Sequence, residues 1–315
     1  MSNTYNVFIN IQKSYGGDLN MELRVLRYFQ AVVYELNISR AAERLHVSQP
    51  TISRQLKDLE NELGVTLFDR NGHNLKLTNS GEYFSNQVNQ ILSLADKTVE
   101  NMHHEQEIIG SITIGSAESR SFLNIAQSIN SLQNNHPKIK TNIISTNSEG
   151  IRANLKSGNY DFGIVMEPAD KSEYNFLRLP GESRWGLLLP QKSALAKKDH
   201  LSFDDLDGQN IIISRQHGIL DQFKGWTKED GPKFNIVATY NLLYNASLLV
   251  SAGVGYALCI DGIINTNQSD LIFIPLEPRV TAGTSLVWYK DQKLSSAAEA
   301  FLNQLTSDIK LPLPE

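Results

Sequence analysis

The sequence predicts a multidomain protein in which a small helical domain with a β-hairpin is joined by a long helix to a larger α/β domain. Three observations support this fold class. Two short helices and a hairpin signal occupy residues 39–78, an apolar heptad pattern runs through residues 84–102, and strands alternate with helices from Gly110 onward. A chain of 315 residues is long enough for about two domains, each with a core of its own.

Residues 39–64 have the pattern of two short helices joined by a tight turn. Ser39 is expected to cap the first helix, in which two adjacent alanines allow a second helix to cross closely. The turn is predicted at residues 46–48, and Ser48 is expected to cap the second helix. Pro50 fits the first turn of that helix, because the N–H that proline lacks has no intrahelical partner there.

The second helix combines a buried stripe with an exposed polar face. The stripe has spacings of four, three and four, and it consists of Ile52, Leu56, Leu59 and Leu63. The N-terminal tip of such a helix is the part that meets base edges in DNA-binding proteins. The outward-facing residues of the helix pair are therefore candidate DNA contacts: Ser39, Ser48, Gln49, Pro50, Thr51, Ser53, Arg54 and Lys57.

Their chemistry suggests a division of roles. Gln49 can form paired hydrogen bonds with adenine and Arg54 with guanine, each worth about 1–3 kcal/mol of base discrimination. Thr51, Ser53 and Lys57 are better suited to phosphates, which set the register without reading the sequence. The alternative is an ordinary helical hairpin whose polar face is simply solvated.

A hairpin signal follows Gly64. Two short apolar runs, residues 65–68 and 75–77, flank Asn71-Gly72, which is the commonest dipeptide of tight hairpin turns. The hairpin would carry three further candidate DNA contacts beside the helix pair: Arg70, His73 and Lys76.

At these residues the chain resembles the LysR-type transcriptional regulators, whose DNA-binding domain is a winged helix-turn-helix. The residues that carry the resemblance are Ser39, Ala41, Ala42, Leu45, Ser48, Gln49, Pro50, Ser53, Leu59, Glu60, Leu63, Gly64, Leu67, Phe68, Arg70, Leu77, Thr78 and Gly81. His73 departs from the family, which usually has a second wing arginine here. A mostly neutral imidazole should weaken the phosphate contact of the wing at pH 7.

The segment before the helix pair divides into two parts. Residues 21–36 are predicted to form a helix with Leu23, Leu26, Phe29 and Val33 on its buried face. Residues 1–20 lack the basic start and the continuous apolar core of a secretory signal. Regulators that resemble this chain usually begin at a residue equivalent to Met21, so residues 1–20 are interpreted as an extension, a cloning remnant or an upstream start, and they are expected to be disordered. The resulting DNA-binding domain spans residues 21–78.

An uninterrupted heptad pattern after Thr78 predicts a linker and dimerisation helix over residues 79–107. Its length of about 40 Å at 1.5 Å per residue is more than one globular domain usually needs. The alternative is a surface helix of the second domain. The candidate dimerisation residues lie at spacings of four and three: Phe84, Val88, Ile91, Ala95 and Met102, with Thr98 on the same seam.

From Gly110 onward, strands alternate with helices, and this alternation predicts parallel, doubly wound sheets. The strands are expected at residues 111–115, 139–146, 160–166, 185–189, 211–214, 234–240, 256–260, 271–274 and 284–289. Helices are expected around residues 122–132, 151–155, 221–228, 246–252 and 298–309.

This half also resembles the family, whose effector-binding domain consists of two α/β subdomains of the periplasmic-binding-protein type. The resemblance implies a first subdomain at residues 110–184 and 276–315, and a second at residues 185–275. The chain would cross between them near Arg184-Trp185 and return near Pro275.

Ligands of such sheets bind at the carboxyl ends of the strands, against helix N-termini. Backbone N–H groups and hydroxyls at these ends suit a small polar or anionic molecule. The candidate effector-binding residues are Ser116, Ser119, Thr146, Ser148, Ser214 and Arg215. The alternative for any one of them is that it only caps a helix, and Arg120, Arg184 and Trp185 are further candidates.

Other functional classes have weak support in the sequence. Gly253-Val254-Gly255 lacks the third glycine of a dinucleotide fingerprint and lies before a strand, no serine lies in a nucleophile elbow, and the histidines have no metal-ligand spacing. We therefore expect no enzyme activity, no cofactor and no metal. A solute-binding protein would account for the second half of the chain only.

Bulk properties complete the expectation. The net charge is −5, so DNA binding would depend on local charge, and the single cysteine, Cys259, fits a reducing compartment. No apolar run is long enough to cross a membrane. The sequence thus predicts a cytoplasmic, sequence-specific regulator that binds double-stranded DNA as a homodimer or homotetramer and responds to a small effector. RNA polymerase is a further candidate partner.

Overall fold

In the computed structural model the described residues are 21–69, 75–102, 108–215 and 233–310. The chain divides into two compact units, of which one ends at Val99 and the other begins at Glu100. The predicted extension at residues 1–20, the Asn71-Gly72 turn and the helix predicted at residues 221–228 lie outside the described residues. No helix within the described ranges is long and apolar enough to span a membrane.

The first unit is helical and carries a small antiparallel hairpin. Its elements are α1 (Leu23–Glu35), α2 (Ile38–Arg44), α3 (Gln49–Leu63), β1 (Phe68–Asp69), β2 (Lys76–Leu77) and α4 (Asn79–Met102). Phe29 lies at the centre of the core, where its ring centroid is 5.3 Å from that of Phe68 and 5.0 Å from that of Phe84. The helices and the hairpin therefore share one core.

Two details of the helices differ from the predictions. The cap of α2 is Asn37, whose side chain accepts a hydrogen bond from Arg40 N at 3.0 Å, so Ser39 lies within the helix. Asparagine caps as well as serine does, and it comes first in the chain. On α1 the buried face includes Val25 and Val32, while Leu23 is 47% exposed.

The long helix is partly buried in its own unit. Val88 and Leu92 are almost fully buried in the core of the first unit, and Phe84 packs against that core. Val88 is therefore not available as a dimerisation residue, which corrects that assignment, and Phe84 is half-buried against the same core. Along the heptad seam the first residues pack inside the unit, whereas Ile91 and Thr98 are exposed.

The second unit contains two β-sheets flanked by helices. In the first subdomain these elements are β3 (Gly110–Ser116), α5 (Phe122–Asn135), β4 (Ile139–Ser145), α6 (Ser148–Lys156), β5 (Phe162–Met166), β6 (Tyr174–Arg178), β13 (Thr284–Tyr289) and α8 (Ser296–Lys310). In the second they are β7 (Ser183–Pro190), β8 (Asn210–Ser214), β9 (Asn235–Tyr240), α7 (Leu243–Ser251), β10 (Tyr256–Ile260), β11 (Leu271–Pro275) and β12 (Thr281–Ala282).

Both sheets are mixed and not wholly parallel as predicted. The first has the order β4-β3-β5-β13-β6, in which β13 is antiparallel to both of its neighbours. The second has the order β11-β7-β10-β8-β9, in which β7 is antiparallel to β10 and β11. The sequence analysis missed β6, because the polar Asn175 interrupts the apolar run expected of a buried strand.

The chain enters the second sheet at β7 and leaves it after β12. Strand β7 begins at Ser183, which pairs with Ala282 of β12. Leu276 and Ala282 are buried in the core of the second subdomain, so the chain returns at Gly283 and not near Pro275. At that point Glu167 N donates a hydrogen bond to Gly283 O at 2.9 Å.

Candidate nucleic-acid interface and effector cleft

Helix α3 begins at a well-formed cap. Ser48 has extended backbone angles, and its hydroxyl accepts a hydrogen bond from Thr51 N at 3.3 Å. The hydroxyls of Ser48 and Thr51 also lie 2.7 Å apart, so the two side chains hold each other at the helix tip. Pro50 occupies the first turn, as the sequence predicted.

The predicted contact face of α3 is accessible. Gln49, Pro50, Thr51, Arg54 and Lys57 are exposed, whereas Ile52, Leu56 and Leu59 are buried beneath them, as predicted. The Arg54 side chain is 83% exposed, and its Nε lies 3.8 Å from Asp58 Oδ2. Such an exposed pair contributes little stability, so the guanidinium is free to move onto another acceptor.

The other predicted contacts have different positions. Ser53 is half-buried on α3, while Ser39 on α2 and Lys76 on β2 are exposed. Arg70 and His73 lie outside the described residues. The pairing of Phe68 with Leu77 confirms the hairpin that was to carry them.

Glu60 is a structural residue of this site whose role the sequence analysis missed. Its Oε1 accepts hydrogen bonds from the backbone nitrogens of Leu67 at 2.7 Å and Phe68 at 3.1 Å. The carboxylate thus joins the C-terminal half of α3 to the first strand of the hairpin. A glutamate on the less exposed side of a polar helix, a few residues before a short strand, is the signal that could have indicated this contact.

The second unit has a cleft at the carboxyl edges of its two sheets. Its volume is about 480 Å³ including the open mouth, and its lining residues come from both subdomains. They are Ala117, Glu118, Thr146, Asn147, Met166, Trp185, Ser214, Tyr240, Asn241, Leu242, Leu243, Ile260 and Ile263. The cleft is therefore in the place that the strand-end rule predicts.

Two of the predicted effector contacts, Thr146 and Ser214, line this cleft, and the others do not. Ser116 is buried and donates to Ala117 O at 2.8 Å. The Ser119 hydroxyl is buried and has no hydrogen-bond partner in the described part of the chain. The remaining two lie outside the lining: Ser148 in the first turn of α6, and Arg215 exposed beyond β8.

The missed lining residues follow the same rule as the predicted ones. Three of them are the last residues of strands β5, β9 and β10, namely Met166, Tyr240 and Ile260. Trp185 joins them because β7 runs antiparallel to β10, so that Trp185 pairs with Ile260. Applying the rule to every strand would have found Met166, Tyr240 and Ile260, whereas Trp185 was already a further candidate in the sequence analysis.

One acidic side chain crosses the cleft. Glu118, in the loop after β3, accepts a hydrogen bond through Oε2 from Leu243 N at 3.2 Å. Leu243 begins α7, and the preceding residue provides no side-chain cap for that helix. A carboxylate of the first subdomain therefore stabilises a helix N-terminus of the second, where its charge is favoured.

Burial controls the ionisation of two neighbouring groups. It raises the pKa of the Tyr240 hydroxyl well above the usual value, and the negative charges of Cys259 and Glu118 would raise that pKa further. The Tyr240 hydroxyl donates a hydrogen bond to Leu258 O at 2.9 Å. Burial also raises the pKa of the Cys259 thiol to about 12, so both groups are neutral near pH 7.

Comparison with known proteins assigns both units of the chain. The family description "Bacterial regulatory helix-turn-helix protein, lysR family" matches residues 23–82, and "LysR substrate binding domain" matches residues 105–310. The chain belongs to the LysR family. The resemblance that the motifs indicated is thereby confirmed, together with its two-part organisation.

Individual LysR-family proteins are similar over most of the chain. The Hca operon transcriptional activator HcaR of Escherichia coli K12 is 28% identical over 285 residues, which cover 90% of this chain and 96% of HcaR. The regulator AlsR of Bacillus subtilis 168 is 31% identical over 245 residues, which cover 75% of this chain and 79% of AlsR.

Solved structures of the family have the same fold. CbnR, described as a LysR family transcriptional regulator, has a TM-score of 0.71 at 20% identity over 92% of this chain and 99% of CbnR. CbnR in complex with its target DNA has a TM-score of 0.70 at 21% identity, with coverage of 91% and 100%. As a member of the LysR family, the chain is a DNA-binding transcriptional regulator with an effector-binding domain.

Proposed function

We propose that α3 enters a major groove, with Gln49 and Arg54 on base edges and Thr51, Ser53 and Lys57 on phosphates. The observation that carries this assignment is the exposed face of a capped helix whose apolar stripe is buried at Ile52, Leu56 and Leu59 and half-buried at Leu63. Arg54 supports it further, because its exposed pair with Asp58 is readily exchanged for a guanine. The wing adds Lys76 beside the groove, where it would contact phosphate.

We propose further that the regulator acts as a homodimer. Apolar side chains on the later part of α4, Ile91, Leu94 and Val99, are exposed to solvent. Exposed apolar residues also occur in the effector-binding unit, on α5, the edge strands β4 and β9, and α7: Leu123, Ile143, Ile144, Ile236, Val237, Tyr244 and Leu248. Two sets of exposed apolar surfaces would also permit a dimer of dimers, and in both assemblies two recognition helices would reach half-sites about 34 Å apart.

The third part of the proposal concerns control. An effector would bind in the cleft between the subdomains. Because both subdomains line this cleft, the affinity for the effector would depend on the distance between them. It changes DNA binding only if it binds the competing assemblies with different affinities. In this proposal the regulator is located in the cytoplasm and binds DNA there. It affects transcription by contacting RNA polymerase or by occluding a promoter.

The experiment is a selection from random duplexes with the full chain, followed by binding titrations on the selected sequence. We expect Gln49→Ala and Arg54→Ala to relax base preference at separate positions, each by about 1–3 kcal/mol. The matched control is Asn61→Ala, an exposed residue near the C-terminal end of the same helix. Unaltered base preference in both variants, or failure of the full chain to select any sequence, would refute the assignment.

A further inference from the structure

The cleft has an unbalanced charge. Among the described residues that line it, Glu118 is the only acidic side chain, no lysine, arginine or histidine is present, and the others are apolar or neutral polar groups. The sequence analysis expected a polar or anionic effector on the basis of hydroxyls and backbone N–H groups. A carboxylate in the same enclosed space works against an anion, because like charges repel more strongly where water is partly excluded.

The position of the Glu118 carboxylate leaves one oxygen for a ligand. Oε2 is occupied by Leu243 N at 3.2 Å, and Oε1 accepts no hydrogen bond from the described residues. The contact with Leu243 also fixes the direction of the side chain across the cleft. An ammonium group has several donors, so it could bind Oε1 while the helix contact stays intact.

An anion would meet the opposite situation. The backbone N–H of Leu243, one of the donors at the N-terminus of α7, is already occupied by Glu118. A ligand carboxylate that used this donor would have to displace Glu118, and one that used a neighbouring N–H group would lie close to the Glu118 carboxylate. The Tyr240 hydroxyl does not provide a replacement hydrogen bond to the ligand, since it already donates to Leu258 O.

The wall beside Glu118 is apolar. Trp185 and Ile260 are buried, and Met166 and Ile263 are half-buried on the same cavity. These side chains suit the hydrocarbon part of a ligand, and an indole ring also attracts cations. The lining therefore combines one carboxylate with an apolar surface.

On this geometry we infer that the effector is a small apolar amine, and that Glu118 is the residue that selects the cation over a carboxylate of similar shape. The inference rests on the proposed function in one respect, namely that the cleft between the subdomains holds the effector. It goes beyond that function by assigning the charge of the ligand to one side chain.

The test uses the full chain and three matched probes. They are phenethylamine, the neutral 2-phenylethanol and phenylacetate, supplemented by smaller amines and carboxylates from methylamine and acetate upward. Thermal unfolding and calorimetric titration give the binding of each. We expect one or more amines to raise the melting temperature and to bind at least tenfold more tightly than the matched carboxylate.

Variants separate the charge of Glu118 from its structural contact. Glu118→Gln keeps an oxygen that can accept from Leu243 N, so it should fold, lose at least tenfold in amine affinity and bind carboxylates no worse than the wild type. Glu118→Asp keeps the charge and should keep the preference for amines. The matched control is Glu149→Gln, which removes an exposed carboxylate of α6 outside the cleft and should change neither series.

Three results would overturn the inference: carboxylates that bind as tightly as amines, a preference unchanged in Glu118→Gln, or no binding of any amine. The proposed function is assessed separately by titrating the selected DNA with the same protein preparation. Specific DNA binding that responds to an anionic or neutral metabolite would refute the charge assignment and leave the proposed function intact. Absence of specific DNA binding would instead refute the proposed function.

Discussion

Glu60 Oε1 lies 2.7 Å from the backbone nitrogen of Leu67 and joins the recognition helix to the wing. The same oxygen accepts from Phe68 N at 3.1 Å, so two backbone donors depend on one side chain. We expect Glu60→Ala to lower the free energy of unfolding by about 1–3 kcal/mol, because partly buried donors lose their acceptor. Urea denaturation measures this loss, and Glu43→Ala on the exposed surface of α2 is the control.

The same variant should also weaken DNA binding, since the wing would no longer be held beside α3. The affinity should fall for the selected site and for random DNA alike, because the contacts affected are those with phosphates. A stable Glu60→Ala protein with unaltered affinity for both duplexes would show that the wing does not need this contact.

Lys57 should reveal a phosphate contact through salt dependence. Lys57→Ala is expected to weaken binding to every sequence and to reduce the slope of log affinity against log salt by about 0.9 for each contact of one subunit. Gln49→Ala should leave that slope unchanged. Titrations at several salt concentrations measure both slopes, and equal slopes in the two variants would contradict the assigned roles.

Neighbouring residues of α4 should separate folding from assembly. Leu92 is buried, so Leu92→Ala should reduce the free energy of unfolding by about 2–5 kcal/mol. Ile91 is 36% exposed, so Ile91→Ala should change that free energy by less than about 0.5 kcal/mol beyond any loss of dimer. Analytical ultracentrifugation should show weaker dimerisation for Ile91→Ala. The assignment of the exposed seam fails if its dimer is as tight as that of the wild type.

Cys259 should be chemically inert in the folded protein. Burial raises the pKa of its thiol to about 12, and the thiolate is the reactive form, so almost none forms at pH 8. We expect labelling by a thiol-specific disulfide reagent only as fast as the protein unfolds. Labelling in native buffer is the measurement, with guanidinium-unfolded protein as the positive control, and rapid native labelling would show that the strand opens.

Glu167 should make stability depend on acid pH. Burial raises the pKa of its carboxyl, but hydrogen bonds from Lys171 and Ser285 outweigh burial and hold that pKa below its usual value. A carboxyl with a lowered folded-state pKa contributes stability above its unfolded pKa of about 4.3, and this contribution is lost as the pH falls through the folded-state pKa.

The variant that isolates this effect is Glu167→Gln. It should lower the melting temperature at pH 7, and the difference from the wild type should shrink as the pH falls below about 4.3. Melting temperatures between pH 3 and pH 7 measure it. Glu173→Gln, which removes a nearby exposed carboxylate, is the control, and a difference independent of pH would exclude ionisation of Glu167 as the cause.

The local signals in the sequence were sufficient for most elements. Ser48 was recognised as a cap and Ile52, Leu56 and Leu59 as a buried stripe, because both patterns are contained within one helix. The cleft was placed correctly at strand ends by a rule that needs only the order of the elements.

What the sequence analysis missed depends on contacts between distant segments. The heptad pattern cannot distinguish Val88, which packs in its own unit, from Ile91, which remains exposed, because both satisfy the same spacing. Similarly, nothing local to Glu118 indicates that it meets Leu243, 125 positions away in the chain. The antiparallel strands escaped notice because alternation with helices does not fix strand direction.

The anchoring of α4 has a mechanical consequence. Besides its buried Val88 and Leu92, this helix accepts hydrogen bonds from Arg27 and Gln30 of α1 at Asp96 and Asn89. Over these turns α4 is packed against the helix-turn-helix domain, so we expect the two to move together as one body. In a dimer paired through α4, a rotation of one α4 helix against the other would therefore rotate each DNA-binding domain with its helix. The rotation would change the half-site spacing that the dimer can bind.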